Sequence, residues 1–533
     1  MSDVMMRSGQ GGRPDDALAP PYGRFIGPAV AVVLCLGYVM VRPASEDYAS
    51  GHFRASLFRD GAHVWNNLWF GGHPLPAYGI ISSGLGALFG VVPVAILATL
   101  IATWCFARLV FDSDVRSWSN PAVAVALFAG GCGANLWAGR LTFGPAVMFG
   151  TVSLLLVQRQ RTLGSMVAAA LCGLSSPVGA LSLVVVLTAG WLARSAPRRL
   201  LAAAGVSALL PIGLVARAFP ERGWFPYTWG SLGLLALALA GMAWCGRSIP
   251  AVRWLAVVYG AVAVAAFVTR SALGGNVVRL GWLAAGPVAA LTIRSHRRIA
   301  VAVIAVISTA WNWAYVPMAF EPAAATMQDV AFGPLASYVN GIGRPVRIEV
   351  VPTKTFGEAD ALALKTSGIA RGWETQLDRQ LNPDFYGDGI TVSSFHRWLL
   401  DRAVSLVALP ARGLAPRSTA EADVIRSAPS YLRKTWSNAD WSVFEVVDAT
   451  PLADHGATVT EVSPEALTIE AASAGPTVVK FRYTALYQVA EGDACILKTP
   501  DGWIGLFVRR PGQIRLTIEV ANSIRPDEPS HCD

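Results

Sequence analysis

Residues 25–42 read FIGPAVAVVLCLGYVMVR, an apolar run that ends at an arginine. A hydrocarbon core of about 30 Å requires about 20 apolar residues in one helix, so this run is predicted to cross a membrane. Comparable runs follow at 86–107, 121–138, 142–158, 199–218, 229–246, 251–269, 277–293 and 299–317. The stretch 165–193 is too long for one crossing, and Ser175-Ser176-Pro177 interrupts it. Because proline removes a backbone donor, we expect two helices there and about eleven crossings in all.

The composition agrees with a membrane protein. Of the 533 residues 53% are hydrophobic and only 15% are charged, which is far from a soluble globular average. The net charge of +8 would suit nucleic acid, but the arginines lie in short clusters between apolar runs, so we expect no nucleic-acid partner. Arginine outnumbers lysine and alanine is abundant, which predicts a GC-rich genome such as that of an actinobacterium.

The arginine clusters predict the orientation of the chain in the membrane. They lie at alternate loops, as Arg108 and Arg116, Arg159 and Arg161, Arg194 with Arg198 and Arg199, Arg247 and Arg253, and Arg294 with Arg297 and Arg298. The positive-inside rule places such clusters in the cytoplasm. Eleven crossings then put the polar N-terminal tail inside and the chain after Pro317 outside. We therefore expect a multi-pass plasma-membrane protein with an extracytoplasmic C-terminal domain.

Changes in composition predict four segments of the chain. They are a disordered cytoplasmic tail at 1–24, a transmembrane domain at 25–318 with a long first outer loop at 43–85, an extracytoplasmic α/β region at 319–450, and a β-sandwich-like region at 451–533. The first outer loop is the longest polar stretch within the transmembrane domain. It is therefore the segment most able to hold a site at the outer membrane surface.

The C-terminal part is predicted to mix helices and strands. Val346–Val351 has the pattern of a strand, and Ser394–Ala408 has that of a helix. Past Asp448, six short alternating runs separated by turn residues predict strands at 457–462, 467–471, 477–483, 494–498, 503–508 and 514–520. In an oxidising outer compartment, Cys495 and Cys532 are expected to form a disulfide.

The first outer loop holds the densest group of residues able to carry chemistry. It reads SEDYASGHFR at 45–54 and RDGAHVWNNLWFGGHPLPAY at 59–78. Glu46 and Asp47 follow the first helix directly, where partial desolvation raises a carboxylate pKa toward that of a general base. A plainer interpretation is also open: the aromatic residues form an interfacial anchoring belt, and the two acids are solvated or cap the next helix.

The order of these residues resembles that of the GT-C-type membrane glycosyltransferases, and in particular the bacterial membrane proteins labelled "6-pyruvoyl-tetrahydropterin synthase-related". The matching residues are Asp47, Gly51-His52, Trp65, Trp69, Gly72, Pro74-Leu75 and Tyr78, with Gly139-Arg140 and Leu174-Ser175-Ser176-Pro177-Val178 further along. The resemblance implies a mainly α membrane protein. Its GT-C-like bundle of about eleven transmembrane helices is followed by an α/β and β-sandwich-like extracytoplasmic domain.

The same resemblance implies roles for individual residues. Asp47 matches the family's catalytic carboxylate, with Glu46 as its substitute, and a divalent cation (Mg²⁺ or Mn²⁺) would be held by Asp47 and His52. The adjacent acids depart from the more open acid pattern of relatives. The residues expected to bind the donor phosphate or substrate are His52, Arg54, His73, Tyr78, Arg140, Arg222 and Arg279. Arg279 lies just inside an apolar run, where a charge is costly and therefore more often functional, although snorkelling of the side chain to the interface explains the position as well.

The C-terminal region offers only weaker signals. Arg371-Gly372-Trp373-Glu374 with Gln376 and Asp378, Tyr386, and His396-Arg397-Trp398 are polar and aromatic, as sugar-binding surfaces are. The same residues suit an α/β core with solvated helix faces. The sequence contains no nucleotide-binding loop, which disfavours ATP-driven transport and a sugar-nucleotide donor.

The sequence therefore predicts a membrane glycosyltransferase of cell-wall biogenesis. It would move a sugar from a polyprenyl-phosphate donor, held in the membrane lipid, to a cell-envelope glycan or lipid acceptor on the outer face. The reaction would be an inverting displacement assisted by a carboxylate base. Two other functions stay open at this stage, a lipid-linked glycan flippase and a non-catalytic GT-C-like envelope assembly protein.

Overall fold

The computed structural model describes residues 22–113, 118–221, 223–294, 297–314, 316, 329–387, 389–519 and 532. Within them the first part of the chain is helical: α1 (Gly23–Val41), α2 (Tyr48–Arg59), α3 (Ile80–Phe89), α4 (Val91–Phe111), α5 (Pro121–Trp137), α6 (Phe143–Gln158), α7 (Thr162–Ser175), α8 (Pro177–Ala193), α9 (Arg198–Ala218), α10 (Trp229–Cys245), α11 (Pro250–Val268), α12 (Arg279–Thr292) and α13 (Arg298–Trp313). Two short strands lie between α2 and α3, β1 (Trp65–Asn66) and β2 (His73–Pro74).

The helices have the surface of a membrane domain. Among the described residues, α1, α4, α9 and α11 are long and apolar enough to cross a membrane, and most of the other apolar helices have between 10 and 17 residues. Large apolar side chains face outward, such as Leu214 at 62%, Leu237 at 72% and Val268 at 75% exposure. An outer surface of this kind is stable against lipid and not against water. The count of eleven crossings stays a prediction.

The break at Ser175-Ser176-Pro177 is confirmed. Helix α7 ends at Ser175 and α8 begins at Pro177, with Ser176 extended between them. The first loop packs directly against this break, because a Cβ at Gly79 would lie 2.5 Å from the Ser175 carbonyl oxygen. Gly79 also has a φ of +98°, so both its backbone conformation and the lack of space for a Cβ favour glycine.

The first loop is part of a core that it shares with the C-terminal part of the chain. Phe53 and Leu57 of α2 and Trp69 pack in one cluster with Phe332 and Leu335. The Trp69 indole N–H donates to the Ala359 carbonyl at 2.8 Å, and the Ile369 N–H donates to the Leu68 carbonyl at 2.8 Å. These contacts fix the loop between the helical bundle and the C-terminal region.

The first C-terminal part is a mixed four-stranded sheet with helices. Its elements are α14 (Asp329–Asn340), β3 (Arg347–Val350), α15 (Thr375–Leu381), α16 (Val392–Asp401), β4 (Val404–Pro410), α17 (Thr419–Arg426), β5 (Leu432–Ser437) and β6 (Trp441–Val446). The strand order is β3-β4-β6-β5, with β3 and β4 parallel.

The predicted strand near Val346–Val351 is confirmed, but the predicted helix Ser394–Ala408 is wrong in its second half. The chain leaves the helix at Asp401, turns at Ala403 with a φ of +51°, and continues as β4. Val404 and Val407 are fully buried in that strand. A run of apolar residues without polar alternation suits a buried strand as well as a helix, so periodicity alone did not separate them.

The last part of the described chain has two antiparallel sheets around one core. The strands are β7 (Ala457–Val462), β8 (Ala466–Ala471), β9 (Gly475–Arg482), β10 (Tyr487–Glu491), β11 (Ala494–Lys498), β12 (Trp503–Val508) and β13 (Gly512–Ile518), in the orders β10-β13-β8-β7 and β11-β12-β9. All six predicted strands are present, although Val520 lies outside the described residues. The seventh, β10, was missed because only Tyr487 is buried in it.

The disulfide between Cys495 and Cys532 is confirmed, with 5.1 Å between the Cα atoms.

Candidate functional site

Asp47 and Arg140, both expected in the site, meet where the first loop touches the turn between α5 and α6. Asp47 directly precedes α2, and its Oδ2 lies 3.5 Å from Arg140 Nε. The Arg140 guanidinium packs 4.4 Å from the ring centroid of Trp282 and donates to Asn135 Oδ1 at 3.3 Å. Both charged side chains are partly accessible, at 23% for Asp47 and 10% for Arg140. The pair of Asp47 and Arg140 therefore packs against protein on one side and is accessible to solvent on the other.

Gly139 explains why the two segments can approach so closely. It has a φ of +71°, and a Cβ at this position would lie 2.1 Å from Ser45 Oγ and 2.8 Å from the Tyr48 backbone nitrogen. Only glycine combines the left-handed conformation with so close a contact. The Gly139-Arg140 turn thus seats Arg140 against the acid-bearing end of the first loop.

Arg279 lies near the same place. It begins α12, and its guanidinium packs 5.3 Å from the ring centroid of Phe143, the first residue of α6. Trp282, which contacts Arg140, is one turn further along α12. Arg140 and Arg279 thus both pack on aromatic rings at the starts of α12 and α6, Trp282 and Phe143. Arginines are the side chains best suited to an anionic group such as a phosphate ester.

Glu46 has an unusual environment. Its pKa is raised to about 7, first by desolvation and then by the neighbouring Asp47, against the opposing charges of Arg417 and Arg140. The side chain is nevertheless exposed. The C-terminal region packs against this part of the loop, since the Trp373 indole N–H donates to the Glu46 backbone carbonyl at 3.0 Å.

His52 and Asp47 have different partners. His52 Nδ1 lies 2.8 Å from Asp360 Oδ2, and the imidazole stacks on Tyr48 at 5.7 Å. Asp360 belongs to the C-terminal region, so this pair links α2 to it. With Asp47 directed at Arg140, a Mg²⁺ or Mn²⁺ ion shared by Asp47 and His52 stays a prediction.

Arg54 and His73 lie inside the protein instead of on an accessible surface. Each is only 2% exposed, and Arg54 forms an ion pair with the fully buried Glu374. His73 Nδ1 lies 3.6 Å from Glu221 and 3.9 Å from Glu374. The cluster joins α2, the first loop, the loop after α9 and the C-terminal region. In this placement neither Arg54 nor His73 presents a surface to a phosphate.

Glu221, Glu374 and His73 offer ligand atoms within 4.8 Å of one another and could in principle hold a metal ion. The hydrogen bonds of Asn66 indicate instead that Nδ1 of His73 carries a proton. Its Oδ1 accepts the Leu68 N–H at 2.9 Å, which turns Nδ2 toward His73 Nε2 at 3.0 Å. Nε2 is then an acceptor, and the imidazole proton lies on Nδ1, facing both carboxylates. A metal needs the Nδ1 lone pair, so these residues fit a protonated Nδ1 better than a metal.

Two expected site residues are only partly visible. Tyr78 ends a short 3₁₀ turn at Pro76–Tyr78 beside α3, and its side chain is not among those described. Arg222 lies outside the described residues, although its neighbours in the loop after α9 are described.

Within the C-terminal region, Arg371 belongs to the core. It is 7% exposed and contacts Asp378 at 3.0 Å, Glu421 at 2.9 Å and Glu349 at 3.5 Å. Burial and the nearby Glu421 raise the pKa of Glu349 well above its ordinary value. The polar pattern around residue 371 therefore reflects a buried ionic network. Trp373 and Glu374 do reach the first loop, which local sequence pattern could not show.

No protein-family model matches the chain, and no curated protein sequence matches it. Among solved structures, the chain is similar to the arabinofuranosyltransferase AftD from mycobacteria, with a TM-score of 0.41 and 16% sequence identity. The match covers 85% of this chain and 43% of that protein, so the chain spans less than half of that enzyme's length. The activity of the whole enzyme is not transferred to this chain by that likeness.

Proposed function

We propose that this protein is a GT-C-type membrane glycosyltransferase that moves a sugar from a polyprenyl-phosphate donor to a cell-envelope glycan or lipid acceptor at the outer face of the plasma membrane. The observation that supports this most is the pairing of Asp47 with Arg140 at one end of the helical bundle, with Glu46 next to Asp47 in the chain. Carboxylates and arginines at such a site provide a base for the acceptor and positive charge for the donor.

The reaction can be written with these residues. Asp47 accepts the proton of an acceptor hydroxyl as its oxygen attacks the anomeric carbon of the donor sugar. The bond between that carbon and the phosphate oxygen breaks, and the anomeric configuration inverts. Arg140 and Arg279 stabilise the negative charge of the departing lipid phosphate through charge-assisted contacts.

Glu46 is the neighbour of this base in the chain, and when it is ionised it adds a second negative charge at the site. Arg140 orients the Asp47 carboxylate. The steps above are written without a metal ion, and the Mg²⁺ or Mn²⁺ ion expected from the resemblance stays a prediction.

The proposal includes the predicted topology. Eleven crossings with a cytoplasmic N-terminus place the Asp47 end of the bundle and the C-terminal region outside the cell. The polyprenyl tail then lies in the bilayer while its phosphate sits at the outer interface.

Replacement of single acids tests the proposal. Asp47→Asn keeps the shape of the side chain and removes the base, and loss of a general base reduces rates by about 100- to 10,000-fold. Glu46→Gln should reduce the rate less. The matched control is Asp60→Asn, the same change at an exposed residue after α2, which should have the smallest effect.

The measurement is complementation of a deletion strain, with analysis of envelope glycans and immunoblots of the membrane fraction. Full activity of Asp47→Asn at normal protein level would refute the proposed role of this site. Loss of activity in Asp60→Asn alone would place the base elsewhere in the loop.

A further inference from the structure

A second cationic surface lies beside the proposed site and takes no part in the steps above. It is built on Trp224, in the loop between α9 and α10. The Arg270 guanidinium lies 5.5 Å from the Trp224 ring centroid and that of Arg379 lies 4.8 Å from it. Arg379 also packs 4.3 Å from the ring of Tyr386. We call Arg270, Trp224 and Arg379 the arginine-indole surface.

This surface is held by the backbone and is not a chance meeting of flexible side chains. The Trp224 N–H donates to the Gln376 carbonyl of α15 at 3.3 Å, and the Phe225 N–H donates to the Ser271 carbonyl at 2.9 Å. Gly223 lies so close to α15 that a Cβ would be 2.4 Å from the Gln376 oxygen. The segments that carry Trp224, Arg379 and Arg270 are therefore fixed against one another.

Among the described residues no carboxylate forms an ion pair with Arg270 or Arg379. Burial lowers the pKa of Arg379, Tyr386 and the more distant Asp378 raise it, and Arg417 adds a third positive charge that lowers it. Arg270 and Arg417 are exposed, and Arg379 is partly so. Like charges gathered in this way repel one another unless an anion binds between them.

The position of the surface indicates where that anion comes from. Arg270 follows the end of α11, a helix long and apolar enough to cross a membrane. Beside it Trp229 is 77% exposed and packs on Phe267 at 4.4 Å, and Tyr227 packs on the same ring at 5.6 Å. Such aromatic groups are found at the level of lipid head groups. The arginine-indole surface thus lies at the edge of the bilayer.

The surface is also connected to the proposed transfer site. Arg417 acts electrostatically on both Arg379 and Glu46, and its Nη1 donates to Thr375 Oγ1 at 2.9 Å. Thr375 begins α15, the helix that carries Arg379, two residues after the tryptophan that contacts the Glu46 backbone. The short helix α15 therefore connects an anion held at the surface to the segment that contacts Glu46.

We propose that Arg270, Trp224 and Arg379 bind the phosphate group of a membrane-anchored anionic lipid, and that the acceptor of the transfer carries such a group. The arginines donate to the phosphate oxygens, and the indole fixes both guanidinium groups in place. The lipid-binding part stands on the geometry alone. The part concerning the acceptor rests on the proposed function.

Binding of short-chain lipids to the purified full-length protein tests the first part. Dihexanoyl phosphatidylglycerol and dihexanoyl phosphatidylcholine would be titrated in neutral detergent and followed by native mass spectrometry. We expect the wild type to prefer phosphatidylglycerol by at least about tenfold, and the double variant Arg270→Gln/Arg379→Gln to lose that preference. Arg412→Gln is the control, because it removes an exposed arginine that pairs with Asp440.

An unchanged preference in the double variant would overturn the proposal. Glycerol 3-phosphate serves as a second probe: competition as strong as that of the lipid would show a site for free phosphate and would overturn the lipid assignment. The single variant Arg270→Gln alters only an exposed side chain and should lose part of the preference for phosphatidylglycerol. It therefore tests the proposal even where the double variant fails to fold.

The acceptor part has a separate test. Asp47→Asn should bind phosphatidylglycerol as the wild type does while losing transfer. In the complementation assay, Arg270→Gln/Arg379→Gln should reduce product at normal protein level. Normal product from the double variant would remove the acceptor role without affecting the proposed base, whereas normal product from Asp47→Asn would refute the base and leave the lipid site intact.

Discussion

Glu46 is the residue whose chemistry is most open to a pH measurement. Its pKa of about 7 means that it loses its proton near neutrality, which places a second carboxylate charge beside Asp47 in the proposed site. We expect kcat/KM for sugar transfer to rise as pH increases through about 7 and then to level off. The sign follows from the deprotonated form being the active one.

The Glu46→Gln variant is the control for that profile. It keeps the size of the side chain and cannot titrate, so the rise near pH 7 should disappear and the activity above pH 7 should be lower than in the wild type. A rise near pH 7 that persists unchanged in Glu46→Gln would assign the titration to another group.

At the scale of elements, the turn between α5 and α6 positions Arg140 through its glycine. Gly139→Ala would force a Cβ against Ser45 and the Tyr48 backbone in a conformation that alanine rarely adopts. We expect a loss of stability of roughly 1–3 kcal/mol and a larger relative loss of transfer, because the contact between Asp47 and Arg140 would open. Thermal unfolding in detergent and the transfer assay measure the two effects.

Gly130→Ala is the matched control for that change. Gly130 lies in α5 itself, and no atom would come within 4 Å of an added Cβ. Alanine in a helix interior is favoured over glycine, so this variant should be as stable as the wild type or slightly more stable. Equal behaviour of Gly139→Ala and Gly130→Ala would show that the turn does not require glycine.

For the whole molecule, the prediction concerns topology. A cytoplasmic N-terminus and an outer C-terminal region place every arginine cluster inside. Ser337→Cys, at an exposed position of α14, should react with a membrane-impermeant thiol reagent in intact cells, whereas Ser2→Cys should react only after the cells are opened. The opposite pattern would invert the orientation and place the Asp47 site in the cytoplasm.

Whole-molecule packing also explains how the site is held. The ion pair Arg54–Glu374 and the hydrogen bond between His52 and Asp360 connect α2 to the C-terminal region, the latter across 308 positions of the chain. Their acids and bases are buried or half-buried, where breaking one partner leaves an uncompensated charge. The acid-bearing loop is therefore positioned from both sides, by the helical bundle and by the C-terminal region.

The sequence by itself determined the local features of this protein. Apolar run length and the proline at 177 indicated a membrane-type helical part and the break between α7 and α8. Alternation located the strands Ala457–Val462, Ala494–Lys498 and Trp503–Val508 at the bounds seen in the structure. These features follow from how each short segment partitions between water, lipid and core, so neighbouring residues are enough to predict them.

Only the tertiary structure decided which residues meet. It placed Asp47 against Arg140, buried Arg54 and His73 among the acids Glu221 and Glu374, and turned the second half of the predicted helix Ser394–Ala408 into the strand β4. Periodicity shows that a segment has an apolar face but not which partner covers it. Pairing between distant segments depends on how the helices and sheets pack, and that information is spread over the whole chain.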